Sequence, residues 1–308
     1  MFTSPLKFIF LILSSFLFNC TSPTTQQNAD PEYANEIQTW REARLESLKS
    51  ETGWLNLAGL FWLKEGRNTF GASSENDLVF QKEKAPEKLG VFILNEGVVV
   101  VQISPGLQVL HNGQPVQNMT MTNDQEGRPT VLSYGSLRWY VIKRGERIGI
   151  RLRDLNSTQI AEFHGIDSFP IDATWRLPAK LIRHDPPKRI SVPNIIGTIN
   201  EAESPGTLEF KINAQAYRLD AISANADGRL FVVFGDRTTG KETYGGGRFL
   251  YVEKPDSTGK TVIDFNKAYN PPCVFTPFAT CPLPPEQNRL PIKILAGEKT
   301  YHHPDFYN

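Results

Sequence analysis

The chain has no excess charge of either sign, because 33 lysines and arginines balance 33 aspartates and glutamates. Such a surface gives no reason to expect nucleic acid or an anionic membrane face as a partner. Methionine is scarce at 3 residues, whereas phenylalanine occurs 19 times, proline 22 times and glycine 23 times. This composition favours strands and turns over helical bundles. The length of 308 residues allows one large or two small domains.

The N-terminal apolar run is too short to span a bilayer. It occupies residues 8–18, about half of the roughly 20 residues that a spanning helix needs. Residues 1–19 are therefore predicted to be a signal peptide, with Lys7 as its positive region. Its end, Leu17-Phe18-Asn19-Cys20, resembles a bacterial lipobox. That resemblance implies cleavage before Cys20 and lipid attachment to this cysteine; the alternative is an ordinary secretory signal or an uncleaved anchor.

A lipid on Cys20 would place the protein in the cell envelope, at the outer membrane or the periplasmic face, with the membrane as its partner. Residues 20–30 are polar and lack periodicity, which predicts a flexible lipidated tether. The remaining cysteines, Cys273 and Cys281, are then expected to form a disulfide in an oxidising compartment. The alternative is a zinc site with His302 and His303, although we predict neither a metal nor a cofactor.

The fold class is predicted to be mainly β, with an N-terminal helix followed by two β-rich halves. Residues 31–53 are assigned to the helix, because apolar residues and one arginine recur there at helical spacing. Residues 54–160 carry short apolar runs that end in glycine, proline or asparagine, which predicts a β-sandwich. Residues 161–193 are interpreted as an irregular connector, and residues 194–308 as a C-terminal β domain with a proline-rich cysteine loop.

The first half resembles a forkhead-associated-like β-sandwich over residues 54–155. The resemblance depends on Gly66, Gly71, Asn76-Asp77 and the turn Asn112-Gly113. That family binds phosphothreonine through an arginine after the second glycine and through a Ser-x-x-His sequence. Here Ala72 follows the second glycine, and residues 86–90 replace the Ser-x-x-His sequence. The resemblance therefore implies the fold without the phosphopeptide activity.

Two arginines of the first half allow two interpretations. Arg151 and Arg153 alternate with apolar residues in a run that pairs across Arg144-Gly145 with residues 138–142. The simpler interpretation is a solvated strand face with a surface ion pair, which contributes at most about 1 kcal/mol. The alternative places Arg151 in a functional site.

The segment 243–298 concentrates the candidate site residues. Two apolar runs, 249–252 and 261–265, flank a turn and predict a β-hairpin, and a long proline-rich loop follows. Long ordered loops in compact domains are usually functional or covalently fixed. Polar and aromatic side chains are dense in this segment. Asp264 and Glu298 are the candidate general acid or base groups, and the candidate ligand-binding residues are Tyr244, Arg248, Asn266, Tyr269, Asn270 and Asn288.

The candidate residues have a structural alternative and a functional one. Asparagine and aspartate usually cap loop backbone, so these side chains could serve the loop alone. In the functional version Arg248 binds an anionic or carbonyl group through its planar guanidinium. Tyr244 and Tyr269 would then form an apolar wall with polar tips.

Known catalytic motifs give little support for an enzyme. The run from Gly235 to Lys241 is close to a P-loop, but Glu242 stands where that motif needs serine or threonine. We therefore predict a hairpin loop there. The sequence contains neither Gly-x-Ser-x-Gly nor His-Glu-x-x-His.

Several short motifs of the C-terminal half resemble a bacterial family catalogued as domain of unknown function sixteen-eighty-four. The resemblance extends back through Trp40, Trp54-Leu55 and Gly59-Leu60, so it covers nearly all of the mature chain. The motifs are Tyr244-x-x-Gly247-Arg248-Phe249-Leu250, Asp264-Phe265-Asn266, Tyr269-Asn270-Pro271-Pro272-Cys273, Cys281-Pro282-x-Pro284-x-x-x-Asn288-Arg289-Leu290 and Ala296-Gly297-Glu298-Lys299. The resemblance implies membership and no activity.

Three functional hypotheses follow from the sequence. The first is a cell-envelope lipoprotein with a small-ligand site under the cysteine loop of the C-terminal half. The second is an envelope hydrolase that uses Asp264 and Glu298. The third is a structural protein whose β domains dock a partner. A deep pocket with the two carboxylates facing each other would favour the hydrolase, and turn-capping by the same residues would favour the structural role.

Overall fold

The computed structural model describes residue 1 and the ranges 29–224 and 226–301. The predicted signal peptide, Cys20 and most of the tether lie outside these residues, as do His302 and His303. Within the described ranges, no helix is both long enough and apolar enough to cross a membrane.

Helix α1 (Pro31–Lys49) confirms the predicted N-terminal helix. Asp30 caps it by accepting a hydrogen bond of 2.9 Å from the backbone N–H of Tyr33. Proline at the first helical position costs no hydrogen bond, because the N–H groups there have no partner within the helix. The buried face contains Tyr33, Ile37 and Leu48.

The first half is a sandwich of two sheets. One sheet has six strands in the order β1-β11-β10-β9-β6-β7, and the other has five in the order β3-β2-β4-β5-β8. The strands are β1 (Leu57–Trp62), β2 (Gly66–Gly71), β3 (Leu78–Val79), β4 (Gly90–Asn95), β5 (Val98–Ile103), β6 (Leu110–His111), β7 (Gln114–Pro115), β8 (Asn118–Met121), β9 (Leu132–Tyr134), β10 (Leu137–Arg144) and β11 (Arg147–Asp154).

Both sheets contribute to one buried core, which confirms the predicted sandwich. Trp139 of β10 lies against Phe70 of β2, with ring centroids 5.9 Å apart in an edge-on arrangement. Both predicted hairpin turns are present. Asn112-Gly113 joins β6 to β7, and Arg144 pairs with Arg147 at the turn between β10 and β11.

The second half begins with the short helix α2 (Thr158–Glu162) and contains two further sheets. Four strands lie in the order β14-β13-β12-β18 and three in the order β15-β16-β17. Their inner faces share a core that includes Phe210, Phe234 and Phe265. The strands are β12 (Arg176–Pro193), β13 (Ile199–Ile212), β14 (Gln215–Asp220), β15 (Ser223–Ala224), β16 (Leu230–Phe234), β17 (Arg248–Val252) and β18 (Lys260–Asp264).

Strand β12 corrects the interpretation of residues 161–193 as an irregular connector. It pairs with β13 along most of its length and with β18 at its start. Its prolines suggested a break, but Pro186 and Pro187 fall where the register with β13 shifts, between Arg183 and Lys188. Proline is tolerated at such an irregularity, because no ladder hydrogen bond is required of it there.

The predicted hairpin of residues 249–252 and 261–265 is also wrong. Strand β17 pairs with β16, whereas β18 pairs with β12, so the two runs enter different sheets. The prediction that each apolar run forms a strand is confirmed. The local pattern could not specify their partners, because pairing depends on burial against distant segments.

Candidate functional site

Asp264 and Asn266 join helix α1 to the C-terminal half. Asp264 is the last residue of β18 and pairs with Arg176 of β12. Its carboxylate accepts hydrogen bonds of 2.9 Å from the Tyr33 hydroxyl. It also accepts the backbone N–H of Asn266 at 3.0 Å, as the cap of a short 3-10 turn. Asn266 donates to the Tyr33 oxygen at 2.9 Å and to the carbonyl oxygen of Asp172 at 2.8 Å. These polar groups are therefore engaged in holding segments together.

Glu298 lies at a second contact between helix α1 and the same half. One carboxylate oxygen accepts the backbone N–H of Asn270 at 2.6 Å, and the other accepts Nε of Arg44 at 3.3 Å. Only 3% of Glu298 is exposed. Burial raises the pKa of its carboxyl above the usual value, and Arg44 and the N–H of Asn270 oppose that rise. Gly297 adopts φ of +78°, and a Cβ there would lie 2.8 Å from the carbonyl oxygen of Phe265, so the close approach requires glycine.

The two candidate carboxylates do not face each other. Asp264 binds Tyr33 and Glu298 binds Arg44, and these helix residues are separated by about 16 Å along the axis at the usual rise per residue. Between these contacts lies Tyr269, whose ring stands 4.7 Å from the Arg44 guanidinium. A pair of acid and base groups acting on one small substrate is not assembled here.

Arg248 is a buried cross-link. Its guanidinium donates to Asp236 at 2.6 Å, to the carbonyl oxygen of Ile294 at 3.0 Å and to that of Ala296. Burial lowers the pKa of Arg248, and the charge of Asp236 opposes that effect. Asp236 lies in the loop between the paired strands β16 and β17, which confirms that the P-loop-like run is a hairpin loop.

Asn288 and Tyr244 lie in separate environments, neither of which is one of the contacts described above. Asn288 is fully buried and donates to the carbonyl oxygens of Asp220 and Val233 at 2.8 and 2.9 Å. It also accepts the N–H of Asp220 at 2.7 Å. Tyr244 packs in a cluster with Leu48, Val274 and Phe275. The predicted site residues thus fall into several distinct groups.

The cysteine loop is closed by a disulfide between Cys273 and Cys281, with the two Cα atoms 6.2 Å apart. It packs on the outer face of the six-stranded sheet. Thr280 of the loop accepts hydrogen bonds from Arg144 at 3.1 Å and from Arg151 at 3.4 Å. Within the described ranges, no three residues of the types histidine, cysteine, aspartate and glutamate cluster as a metal site.

The outer face of β11 is covered, which corrects its interpretation as a solvated strand face. Arg151 is 3% exposed and Arg153 is 8% exposed, and both guanidinium groups lie about 6 Å from the Trp54 ring. Burial lowers the pKa of Arg151. The sequence alternation identified these residues, but it could not show that Trp54 and the cysteine loop cover them.

A cleft of about 840 Å³ lies beside this covered region, on the same face of the six-stranded sheet. Arg138 and Tyr140 of β10 and Arg153 of β11 contribute to it. The turn that follows helix α1 and the loop before β9 complete the walls. The lining residues are Glu51, Thr52, His111, Asn112, Thr122, Asp124, Arg128, Pro129, Thr130, Val131, Arg138, Tyr140 and Arg153.

Of the predicted site residues that the structure describes, none lines this cleft. The available signal was the alternation of arginine and tyrosine along residues 138–153, which places these side chains on one face. Two smaller depressions, of about 520 and 450 Å³, are lined by Leu45 of helix α1 and by His164 and Gly165.

Comparisons with known proteins identify a family and several similar solved structures. Residues 161–299 match the family model described as protein of unknown function (DUF1684). An uncharacterised protein of Haloarcula marismortui, solved by NMR, is 33% identical, with 46% of this chain and 80% of that chain covered and a TM-score of 0.39. An FHA domain from a study of phosphothreonine-dependent interactions is 14% identical, with 30% and 92% covered and a TM-score of 0.22. No curated protein matches the chain.

Proposed function

Because the chain belongs, through residues 161–299, to the DUF1684 family of proteins of unknown function, we propose a function from its geometry: a small-ligand-binding protein of the cell envelope. The ligand binds in the cleft on the outer face of the six-stranded sheet. Helix α1 and the C-terminal half hold this face in place. The protein binds its ligand without transforming it.

The cleft is the observation that carries this proposal. Its volume of about 840 Å³ lies within the range of roughly 300–1,000 Å³ that is usual for small-molecule sites. Arginine, histidine, tyrosine and threonine side chains converge on it from separate elements, so polar groups are available to orient a ligand. Such convergence of polar groups in a concave site is the ordinary signature of a binding pocket.

The C-terminal candidate residues support this function indirectly. Their polar atoms form internal hydrogen bonds with neighbouring backbone and side chains, as seen at Arg248, Asn266, Asn288 and Glu298. A ligand at these atoms would have to replace internal bonds within the core. We therefore place the ligand in the cleft. The hydrolase alternative has no supporting observation, because Asp264 and Glu298 bind different turns of helix α1.

The envelope location depends on the predicted lipid at Cys20, which lies outside the described residues. The tether of residues 20–30 would join that lipid to helix α1. Replacing Cys20 with alanine should release the protein from the membrane fraction or stop its processing. An unmodified Cys20 thiol in the mature wild-type protein, measured by mass spectrometry, would contradict the lipid anchor.

Native mass spectrometry tests the ligand site. The protein is incubated with the small-molecule fraction of a cell extract, desalted and weighed intact. Val131 lines the cleft and is 39% exposed, so Val131→Trp should fill the cleft without disturbing the core. Val98 lies on the opposite sheet and is 51% exposed, so Val98→Trp is the matched control.

We expect a bound species on the wild-type protein and on Val98→Trp, and none on Val131→Trp. Equal retention by all three proteins would place the ligand elsewhere. No bound species on any of them would favour the structural, partner-docking alternative.

A further inference from the structure

Arginine side chains crowd the outer face of the six-stranded sheet. Arg138 and Arg144 of β10 and Arg151 and Arg153 of β11 share that face, because residues two apart in a strand point to the same side. The register places Arg138 opposite Arg153 and Tyr140 opposite Arg151. The alternation therefore concentrates positive charge on one surface of a chain that is neutral as a whole.

One of these arginines has its counter-ion. Arg144 binds both carboxylate oxygens of Asp124, at 3.0 and 2.8 Å. Such a bidentate pair satisfies the charge and the geometry of both partners. It also occupies Asp124, which is one of the two carboxylates that line the cleft.

The two most buried arginines of this face lack a counter-ion within the described ranges. Among the residues that the structure describes, no carboxylate lies within 4.0 Å of Arg151 or Arg153. Nε of Arg151 is buried, and no described residue forms a hydrogen bond with it. Arg153 donates to Asn56 at 2.6 Å and to the backbone carbonyl of Gly53. A buried charge is costly unless it is paired, so this face is short of negative charge.

The cleft opens onto this uncompensated charge. Arg153 forms part of its lining, and Arg128 and Arg138 line it as well. One nitrogen of Arg138 donates to the carbonyl oxygens of Gly135 and Leu137 at 2.8 Å, so its guanidinium is held before any ligand arrives. Glu51 is the one lining carboxylate that is not ion-paired within the described ranges, and it is exposed.

We propose that the ligand of this cleft is a small soluble anion whose phosphate or carboxylate group binds Arg153, Arg138 and Arg128. This inference rests on the proposed function, since it names the chemical class of ligand for the same cleft. The planar guanidinium groups match the oxygen atoms of either group. The Tyr140 hydroxyl, 3.4 Å from a nitrogen of Arg153, adds a neutral hydrogen-bonding group at the same place.

Two sources could present this chemistry, namely a free small anion and the headgroup of an anionic lipid. Isothermal titration calorimetry of the processed wild-type protein separates them. The probes are inorganic phosphate, citrate and vesicles of phosphatidylglycerol. We expect citrate or phosphate to bind saturably, and the affinity to fall as the salt concentration rises, because charge contacts are screened.

Charge-removing variants test the role of the arginines. Arg128 is exposed, and no described residue pairs with its side chain, so Arg128→Gln removes one charge without removing a structural contact. Arg138→Gln removes a second one. Arg67→Gln on the opposite sheet is the control, because Arg67 is also exposed. Each cleft variant should weaken anion binding about tenfold, the usual effect of losing one charge-assisted hydrogen bond, and the control should not.

The outcomes separate this inference from the proposed function. Equal anion affinity in all the arginine variants would overturn the inference, as would binding to the lipid vesicles without binding to either soluble anion. A neutral extract ligand that Val131→Trp displaces and Arg128→Gln does not would overturn the anion while the proposed function stands. Loss of every ligand on the wild-type protein would overturn both.

Discussion

In the C-terminal half, single polar side chains form hydrogen bonds with backbone groups. Asn288 shows this directly, because its amide joins Asp220 to Val233 through three hydrogen bonds. The amide thus completes bonds that the backbone of β14 and β16 would otherwise leave open. A buried polar group without a partner costs about 1–3 kcal/mol. The side chain is therefore structural, and its replacement would leave several such groups unpaired.

The contribution of Glu298 to the free energy of unfolding depends on pH. Its pKa is raised in the folded protein, so between the unfolded and the folded pKa values the folded state holds a proton that the unfolded state has released. Stability falls with rising pH wherever the folded state binds more protons. The contribution of Glu298 is therefore present in full below the unfolded pKa and is lost as the pH rises through the folded one.

The comparison with Glu298→Gln measures this contribution. The free energy of unfolding of the wild-type protein minus that of the variant should decrease as the pH rises from below about 4.5, the usual glutamate value. Urea denaturation over a pH series gives the difference. Glu286→Gln, at an exposed position, controls for the loss of one negative charge. A difference that increases with pH would show that the pKa is lowered instead.

The sequence identifies these residues as candidates but does not show their role. Asn266, Asn270 and Glu298 stood out because polar side chains are unusual among so many prolines and phenylalanines. The sequence cannot distinguish a residue that caps a loop from one that binds a ligand, because both roles need a hydrogen-bond donor or acceptor among apolar residues. The cleft was missed because His111, Arg128 and Arg153 come from distant segments, and only the folded chain brings them together.

At the scale of the elements, local sequence patterns predict which helices and strands form better than they predict which strands pair. Helix α1 and the hairpin of β10 and β11 were predicted correctly, because their signals lie within one continuous stretch. Strand β12 was hidden by its prolines, and β17 and β18 were paired wrongly, because their partners β16 and β12 are chosen by burial far along the chain. Non-local pairing of this kind cannot be read from periodicity.

The cysteine loop should depend on its disulfide and not on a metal. Closing a loop of this length, with a separation of 8 residues, stabilises the fold by about 2–3 kcal/mol in the chain-entropy account. Reductant should therefore lower the melting temperature in a calorimetric scan, whereas a chelator should leave it unchanged. Thiol titration of the unfolded, unreduced mature protein should find neither Cys273 nor Cys281 reactive. Two reactive thiols with stoichiometric zinc would instead support the metal site.

At the scale of the whole molecule, helix α1 ties the start of the chain to its end. The Tyr33 hydroxyl donates to Asp264 across 231 positions of sequence, and Trp40 packs beside Tyr269, with ring centroids 6.4 Å apart. On the other side, Arg144 and Arg151 of the sandwich bind Thr280 of the cysteine loop. The two halves are therefore connected through both the helix and the loop.

Tyr33→Phe tests the helix contact. The change removes one hydroxyl and leaves Asp264 and Asn266 without their shared partner, so we expect a loss of about 1–3 kcal/mol in the free energy of unfolding. Urea denaturation measures it. Tyr134→Phe is the control, because Tyr134 packs at the edge of the sandwich core. A loss no greater than that of the control would show that the hydroxyl contributes little to the attachment of helix α1.

The contacts of helix α1 also reach into the segment that the family model matches. The match to the DUF1684 family model begins at residue 161. Within it, the buried Asp264 and Glu298 bind Tyr33 and Arg44, which lie more than a hundred residues before the match begins. A fragment cut at the family boundary would keep these two carboxylates and lose the groups that neutralise or bond them. Helix α1 lies outside the segment that the family model matches, yet it supplies the partners of two buried carboxylates within that segment.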